Sequence, residues 1–169
     1  MTEVLVITAL AGVSIVAVIA MFIVSRNQTL AIRLEKQMTS NKITLPLRLQ
    51  AHERCLIFLE RISPESIIVR INKPDYTAMQ LQAQLLAAIR SEYEHNLSQQ
   101  LYVSAEAWNY LVNAKNNIIG LITSCSLKLA PDMSSSELAK LILESYAKLD
   151  TSPALHAKQK LKSDATSLF

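Results

Sequence analysis

The chain has 169 residues and a formal net charge of +3; half its residues are hydrophobic, 5% are aromatic, and its two glycines are Gly12 and Gly120. Phosphate-cradling loops and nucleophile elbows need several closely spaced glycines, so the composition argues against a P-loop, a dinucleotide fingerprint or a hydrolase elbow. The small charge, with no basic surface interleaved with aromatics, argues against a nucleic-acid partner.

Residues 4–24 carry no charge and nothing more polar than Thr8 and Ser14. As a helix this run rises about 31 Å, enough to cross a hydrocarbon core of roughly 30 Å. The residues ahead of it hold no Lys or Arg, and Met21-Phe22-Ile23-Val24 is a poor cleavage context. A retained single-pass transmembrane helix is therefore expected over a signal peptide, with an exported, cleaved helical protein as the rival. Arg26, Arg33, Lys36, Lys42 and Arg48 follow the span against one Glu35. The positive-inside rule then puts the N-terminus outside and the C-terminal body in the cytoplasm, with the lipid bilayer as a partner. Thr8 and Gly12 form a small-xxx-small pair of the kind that lets two spans approach, although chance accounts for such a pair more readily.

Residues 25–42 are polar and helix-compatible, and read as the span continuing to a break near 39–41. Residues 45–62 place Leu45, Leu49, Leu56, Leu59 and Ile62, with Cys55 beside them, at helical spacing, and Pro46 suits the first turn. Ser63-Pro64 ends or restarts that helix. Residues 66–71, "SIIVRI", have no second strand to pair with, so a turn or short helix is favoured over a lone strand. Thr77-x-x-Gln80 reads as a capping box opening a helix to about Gln100, with Leu81, Leu85, Ile89 and Tyr93 on one face. Ser104 caps the next helix, which carries Trp108, Leu111, Ile118, Ile122 and Cys125 as far as about Leu129. Ser134-x-x-Glu137 is a second capping box, opening a helix through Leu149. No internal repeat is evident. Three divisions follow: 1–42 as membrane helix and juxtamembrane extension, 43–150 as a helical body, and 151–169 as a flexible basic tail, either a frayed helix or disordered. The expected fold is all-α, one transmembrane helix followed by a small bundle of about four helices.

Few residues offer chemistry. Glu92-x-x-His95 puts a carboxylate and an imidazole on one helix face, as di-iron bundles do, but such a site needs a second copy and two further Glu residues. The residues three before His52 and His156 are Leu49 and Pro153, so no second copy exists. His52 and Cys55, one turn apart, lack an orienting group and an oxyanion hole for a thiolate nucleophile. Cys55 and Cys125 have no metal-ligand spacing and read as small buried hydrophobes in a reducing compartment. No catalytic residue, metal ligand or cofactor is expected. The polar stretch 95–108, "HNLSQQLYVSAEAW", reads mainly as a corner where amide side chains satisfy two helix ends.

The strings "LRLQAHERCLIFLERISPESIIVR" and "IRSEYEHNLSQQLYVSAEAWNYLVNAKNNI" resemble an uncharacterised bacterial family of small proteins with one N-terminal membrane span. The resemblance covers residues 1–127, rests mainly on 47–54 and 95–108, and leaves the last stretch of chain outside it. It implies the inner-membrane topology and the helical body, and it transfers no activity. The expected function is that of a non-enzymatic, membrane-anchored interaction or scaffold protein at the cytoplasmic face, binding a protein partner or a second copy. A metal-dependent enzyme or sensor at Glu92 and His95 is the alternative. The expected interaction surface is Arg48, Gln50, Glu53, Arg54, His95, Asn96, Gln99, Gln100 and Trp108.

Overall fold

The computed structural model describes residues 1–168, with side chains for all of these except 2–18, 27, 29–34, 36–37 and 39–41. Its helices are α1 (Thr2–Ile62), α2 (Pro64–Ile71), α3 (Ala78–Asn96), a short 3-10 helix (Leu97–Leu101), α4 (Ala105–Ser126), α5 (Ser135–Ala147) and α6 (Pro153–Thr166). No strand occurs among the described residues, so the chain is all-helical as expected. Most of the proposed span at 4–24, and the Thr8–Gly12 pair, lie outside the described side chains. Among the described residues no helix is long and apolar enough to cross a membrane.

The chain divides into two compact units, Met1–Leu45 and Pro46–Phe169. In the first, Met21, Phe22, Ile23 and Val24 are exposed, and the Arg26 guanidinium lies 5.7 Å from the Phe22 ring centre. The break expected at 39–41 is absent, and Pro46 lies inside α1 rather than in its first turn. Residues 25–42 contain neither Gly nor Pro to stop a helix. Pro46 removes one i→i−4 bond, and packing of the turns beyond it outweighs that loss.

In the second unit the core-facing stripe of α1 is Ala51, Cys55, Phe58, Leu59 and Ile62, all fully buried. This differs from the expected stripe, since Leu49 is exposed and Leu45 and Leu56 are only half-buried. Ala51 and His52 occupy the buried positions instead. Against this stripe pack Leu81, Leu85 and Ile89 of α3, Leu111, Ile118 and Ile122 of α4, and Leu138 and Ile142 of α5. Each such Leu, Ile or Phe contributes about 1.5–3 kcal/mol of burial. Residues 66–71 are helical, as favoured, because Pro64 begins α2 and Ile67 and Ile68 face the core.

Both capping boxes form. The Thr77 hydroxyl accepts from Gln80 N while Gln80 Oε1 accepts from Thr77 N, and Ser134 and Glu137 do the same. The two boxes meet in space. Ala78 N donates to Met133 O at 2.7 Å and Ser135 N to Tyr76 O at 3.0 Å, closing an antiparallel bridge between Thr77 and Ser134. This juxtaposition reveals a short repeat that the linear sequence hid. Residues 74–81 and 131–138 share Pro-Asp-x-Thr/Ser-x-x-Gln/Glu-Leu, and each copy opens a helix at the bridge. Side-chain differences outside these positions mask the relation.

The body is larger than four helices because α2 and α6 also pack into it. Residues 151–169, expected as a flexible tail, hold α6, which lies along α4. Ala154, Ala157 and Leu161 make its buried stripe. Two of those three are alanines, so the stripe is real but weakly hydrophobic. Lys158 Nζ meets Glu60 Oε2 at 2.6 Å and Lys160 Nζ meets Glu106 Oε2 at 2.7 Å.

Candidate functional site

The 95–108 corner is built from more distant groups than its own amides. Ser104 caps α4 by accepting from Ala107 N, as expected. Its own backbone N–H donates to Asp164 Oδ2 of α6 at 3.0 Å. The same oxygen is hydrogen-bonded to His52 Nε2 at 2.8 Å, and His52 Nδ1 is hydrogen-bonded to the Arg48 carbonyl at 2.6 Å. Burial works to raise the Asp164 pKa, but the hydrogen bonds from Ser104 and His52 hold it below the ordinary aspartate value. One half-buried carboxylate thus ties α1, the start of α4 and α6 together. With both His52 nitrogens engaged, and burial pushing the Cys55 thiol up to about 12 against the Arg54 charge, this pair supplies no thiolate. Asn96, not the glutamines, closes the end of α3, its Nδ2 donating to the Glu92 carbonyl at 2.8 Å. Among the described residues Gln99 reaches only Ser98, and Gln100 is exposed.

A groove of about 400 Å³ runs between α1 and α3 beside this corner. Arg54, Ile57 and Arg61 line it from α1, at i, i+3 and i+7, so they share one helix face. Glu92, His95 and Asn96 line it from α3, at i, i+3 and i+4. The buried stripe of α1 fixes the first set, since Cys55 and Phe58 point inward beside it. Leu85 and Ile89 anchor α3 in the same way.

The groove is polar at both ends and apolar between them. At one end, Glu92 Oε1 receives Arg61 Nε at 2.8 Å, Arg61 Nη2 at 2.6 Å and Arg70 Nη1 at 3.2 Å. The Arg61 hydrogen bond, aided by the charges of Arg61 and Arg70 and opposed by desolvation, holds the Glu92 carboxyl below its usual range. At the other end, half-buried Arg54 makes one long hydrogen bond, Nε to Asn96 Oδ1 at 3.4 Å. His95 is exposed and has no hydrogen-bond partner among the described residues. Ile57, half of whose surface is open at 49%, lies between them.

Of the expected surface, Arg54, His95 and Asn96 come together in this groove. Gln50 and Glu53 are exposed on α1 outside it, and Arg48 turns to the Tyr102 carbonyl at 3.4 Å. Trp108 is corrected: it is 9% exposed, packed 5.9 Å from the Tyr93 ring, and belongs to the core. Ile57, Arg61 and Arg70 were missed, although the i, i+3, i+7 spacing from Arg54 marks the first two. The Glu92–His95 pair faces two guanidiniums, an environment that repels a cation. Among the described residues no group of three or more His, Cys, Asp or Glu stands ready for a metal.

No curated protein and no solved structure matches the chain. The model of a family of unknown function, DUF7935, matches residues 1–168, past residue 127 where the resemblance was expected to stop and through α6. The chain belongs to that family.

Proposed function

We propose that this protein is a single-pass, membrane-anchored helical interaction module of the bacterial inner membrane. Its helical body holds a protein partner at the cytoplasmic face, with no catalysis of its own. The observation that carries the reading is the groove between α1 and α3, which presents Arg54, Ile57 and His95 to an incoming group. The uncharged run at 4–24 and the basic residues that follow it support the anchor and its orientation. The test is membrane fractionation of the full chain, followed by crosslinking in native membranes and purification. The expected result is carbonate-resistant membrane association and one reproducible crosslinked species that a groove substitution, His95→Ala, depletes. Extraction by carbonate would refute the anchor, and a crosslink pattern indifferent to His95→Ala would refute the groove.

A further inference from the structure

We infer that the groove is a carboxylate receptor, and that its occupant is an acidic peptide segment of the partner with an aliphatic side chain next to the acid. This rests on the interaction-module reading above and gives the partner a chemistry. Charge balance is the first ground. Arg61 and Arg70 already pair with Glu92 at one end of the groove, and the Arg54 guanidinium stands at the other end. All three of Glu92's ion-pair contacts fall on Oε1 and come from Arg61 and Arg70. Arg54 has no carboxylate among the described residues, and its only hydrogen bond leaves both terminal nitrogens open. Glu53, its neighbour in sequence, and Glu94, the neighbour of His95, are exposed and do not line the groove.

The second ground is the fork geometry. A guanidinium with both terminal nitrogens unused matches the two oxygens of a carboxylate, and the paired, charge-assisted bonds are about twice as strong as neutral ones. Asn96 holds Arg54 by Nε, which sets the fork before a ligand arrives. Asn96 is itself fixed, being buried and bonded to the Glu92 carbonyl. His95, on the same face of α3, supplies a further ring N–H donor beside it.

The third ground selects the occupant. Ile57 lies in the lining between the polar ends, so the ligand brings an apolar group within a residue of its acid. The free fork offers two terminal nitrogens, which the two oxygens of a carboxylate use in full, while the further oxygens of a phosphate find no donor among the lining residues there besides His95. A side-chain carboxylate therefore fits better than a phosphate, whether free or on a lipid headgroup.

The test uses the full chain in maltoside micelles, with the arginine side-chain Nε–Hε resonances as the readout. Four probes are titrated: a capped Leu-Glu-Leu peptide, its Leu-Gln-Leu counterpart, inorganic phosphate, and phosphatidylglycerol vesicles. The Glu peptide is expected to shift Arg54 saturably, the other three to leave it unmoved at equal concentration. His95→Ala, at an exposed position, read at Arg54, and Arg54→Ala, read at the Arg61 resonance in the same groove, are each expected to weaken the Glu peptide about tenfold or more. Equal binding of the Gln peptide, or an equal response to phosphate or vesicles, overturns the carboxylate assignment. So does silence from all four. If a crosslink at the groove survives in membranes despite that silence, the interaction reading stands and only its chemistry falls; if both vanish, both fall.

Discussion

Replacing Asp164 with alanine should unlatch the C-terminal helix. The Asp164 side chain is 12% exposed and bonds buried His52 through Nε2 at 2.8 Å and half-buried Ser104 through its backbone N–H at 3.0 Å. Removing it leaves both groups without that partner. A hydrogen bond to a charged group is worth about 1.5–3 kcal/mol, and a buried donor left unsatisfied costs about 1–3 kcal/mol. Those figures overlap rather than add, so the expected loss is about 2–4 kcal/mol. For a chain of this size each kcal/mol moves the Tm by about 2–4 °C, giving a drop of about 5–15 °C. Trp108, the sole tryptophan, is buried against Tyr93, so its emission follows the unfolding of the body. The matching control is Lys158→Ala, which removes the Glu60 ion pair at the surface and should cost no more than about 1 kcal/mol. A Tm for Asp164→Ala within about 1 °C of the parent would refute the idea that this carboxylate holds three helices together.

Other outcomes follow from the same contacts. Asp164 and Glu92 both have folded pKa values below their ordinary ones; such groups contribute stability that is present above the unfolded value, near 4, and lost as pH falls through the folded value. Urea titrations from pH 6 to pH 2 should therefore show stability falling on acidification, with a shallower fall in Glu92→Gln; an unchanged profile contradicts the ion-pair assignment. Thr77→Ala and Ser134→Ala should each cost about 1 kcal/mol in urea denaturation, because each removes a helix cap. Gln99→Leu and Gln100→Leu should stay within about 0.5 kcal/mol of the parent, since neither amide closes a helix end. Gly120→Ala should raise stability by about 0.5–1 kcal/mol, as a Cβ there meets nothing within 4 Å and the position lies inside α4.

The helical body was legible in the sequence where two signals agreed. The capping boxes at Thr77 and Ser134 and the cap at Ser104 mark helix starts through local hydrogen bonds, and local rules suffice for those. The apolar faces of α3 and α4 were legible for the same reason, being dense in Leu and Ile. α6 could be read only as a frayed helix or a disordered tail because alanines form most of its buried stripe, and alanine buries little area from which to read a period. The core face of α1 was displaced because Ala51 and His52 sit where larger apolar residues would be expected, and only Asp164, far along the chain, explains a buried histidine.

The groove shows the same limit. Arg54, His95 and Asn96 stood out as polar residues, but the fork at Arg54 exists only because Asn96 comes from another helix. Trp108 looked like an interface anchor on residue type alone. Its place depends on Tyr93 and Phe58, whose rings lie 6.1 Å apart in the core beside it. The repeat at 74–81 and 131–138 became visible through the backbone bridge that joins its copies.

The central claim is that the groove is where a partner sits, and one measurement bears on it directly. A photo-crosslinking amino acid at Ile57, in the groove, is compared in native membranes with the same group at Leu127, which is 82% exposed and outside it. A single adduct of defined size at position 57, absent at position 127 and lost with Arg54→Ala, is the predicted result. No adduct at position 57, or the same products from both positions, would contradict it.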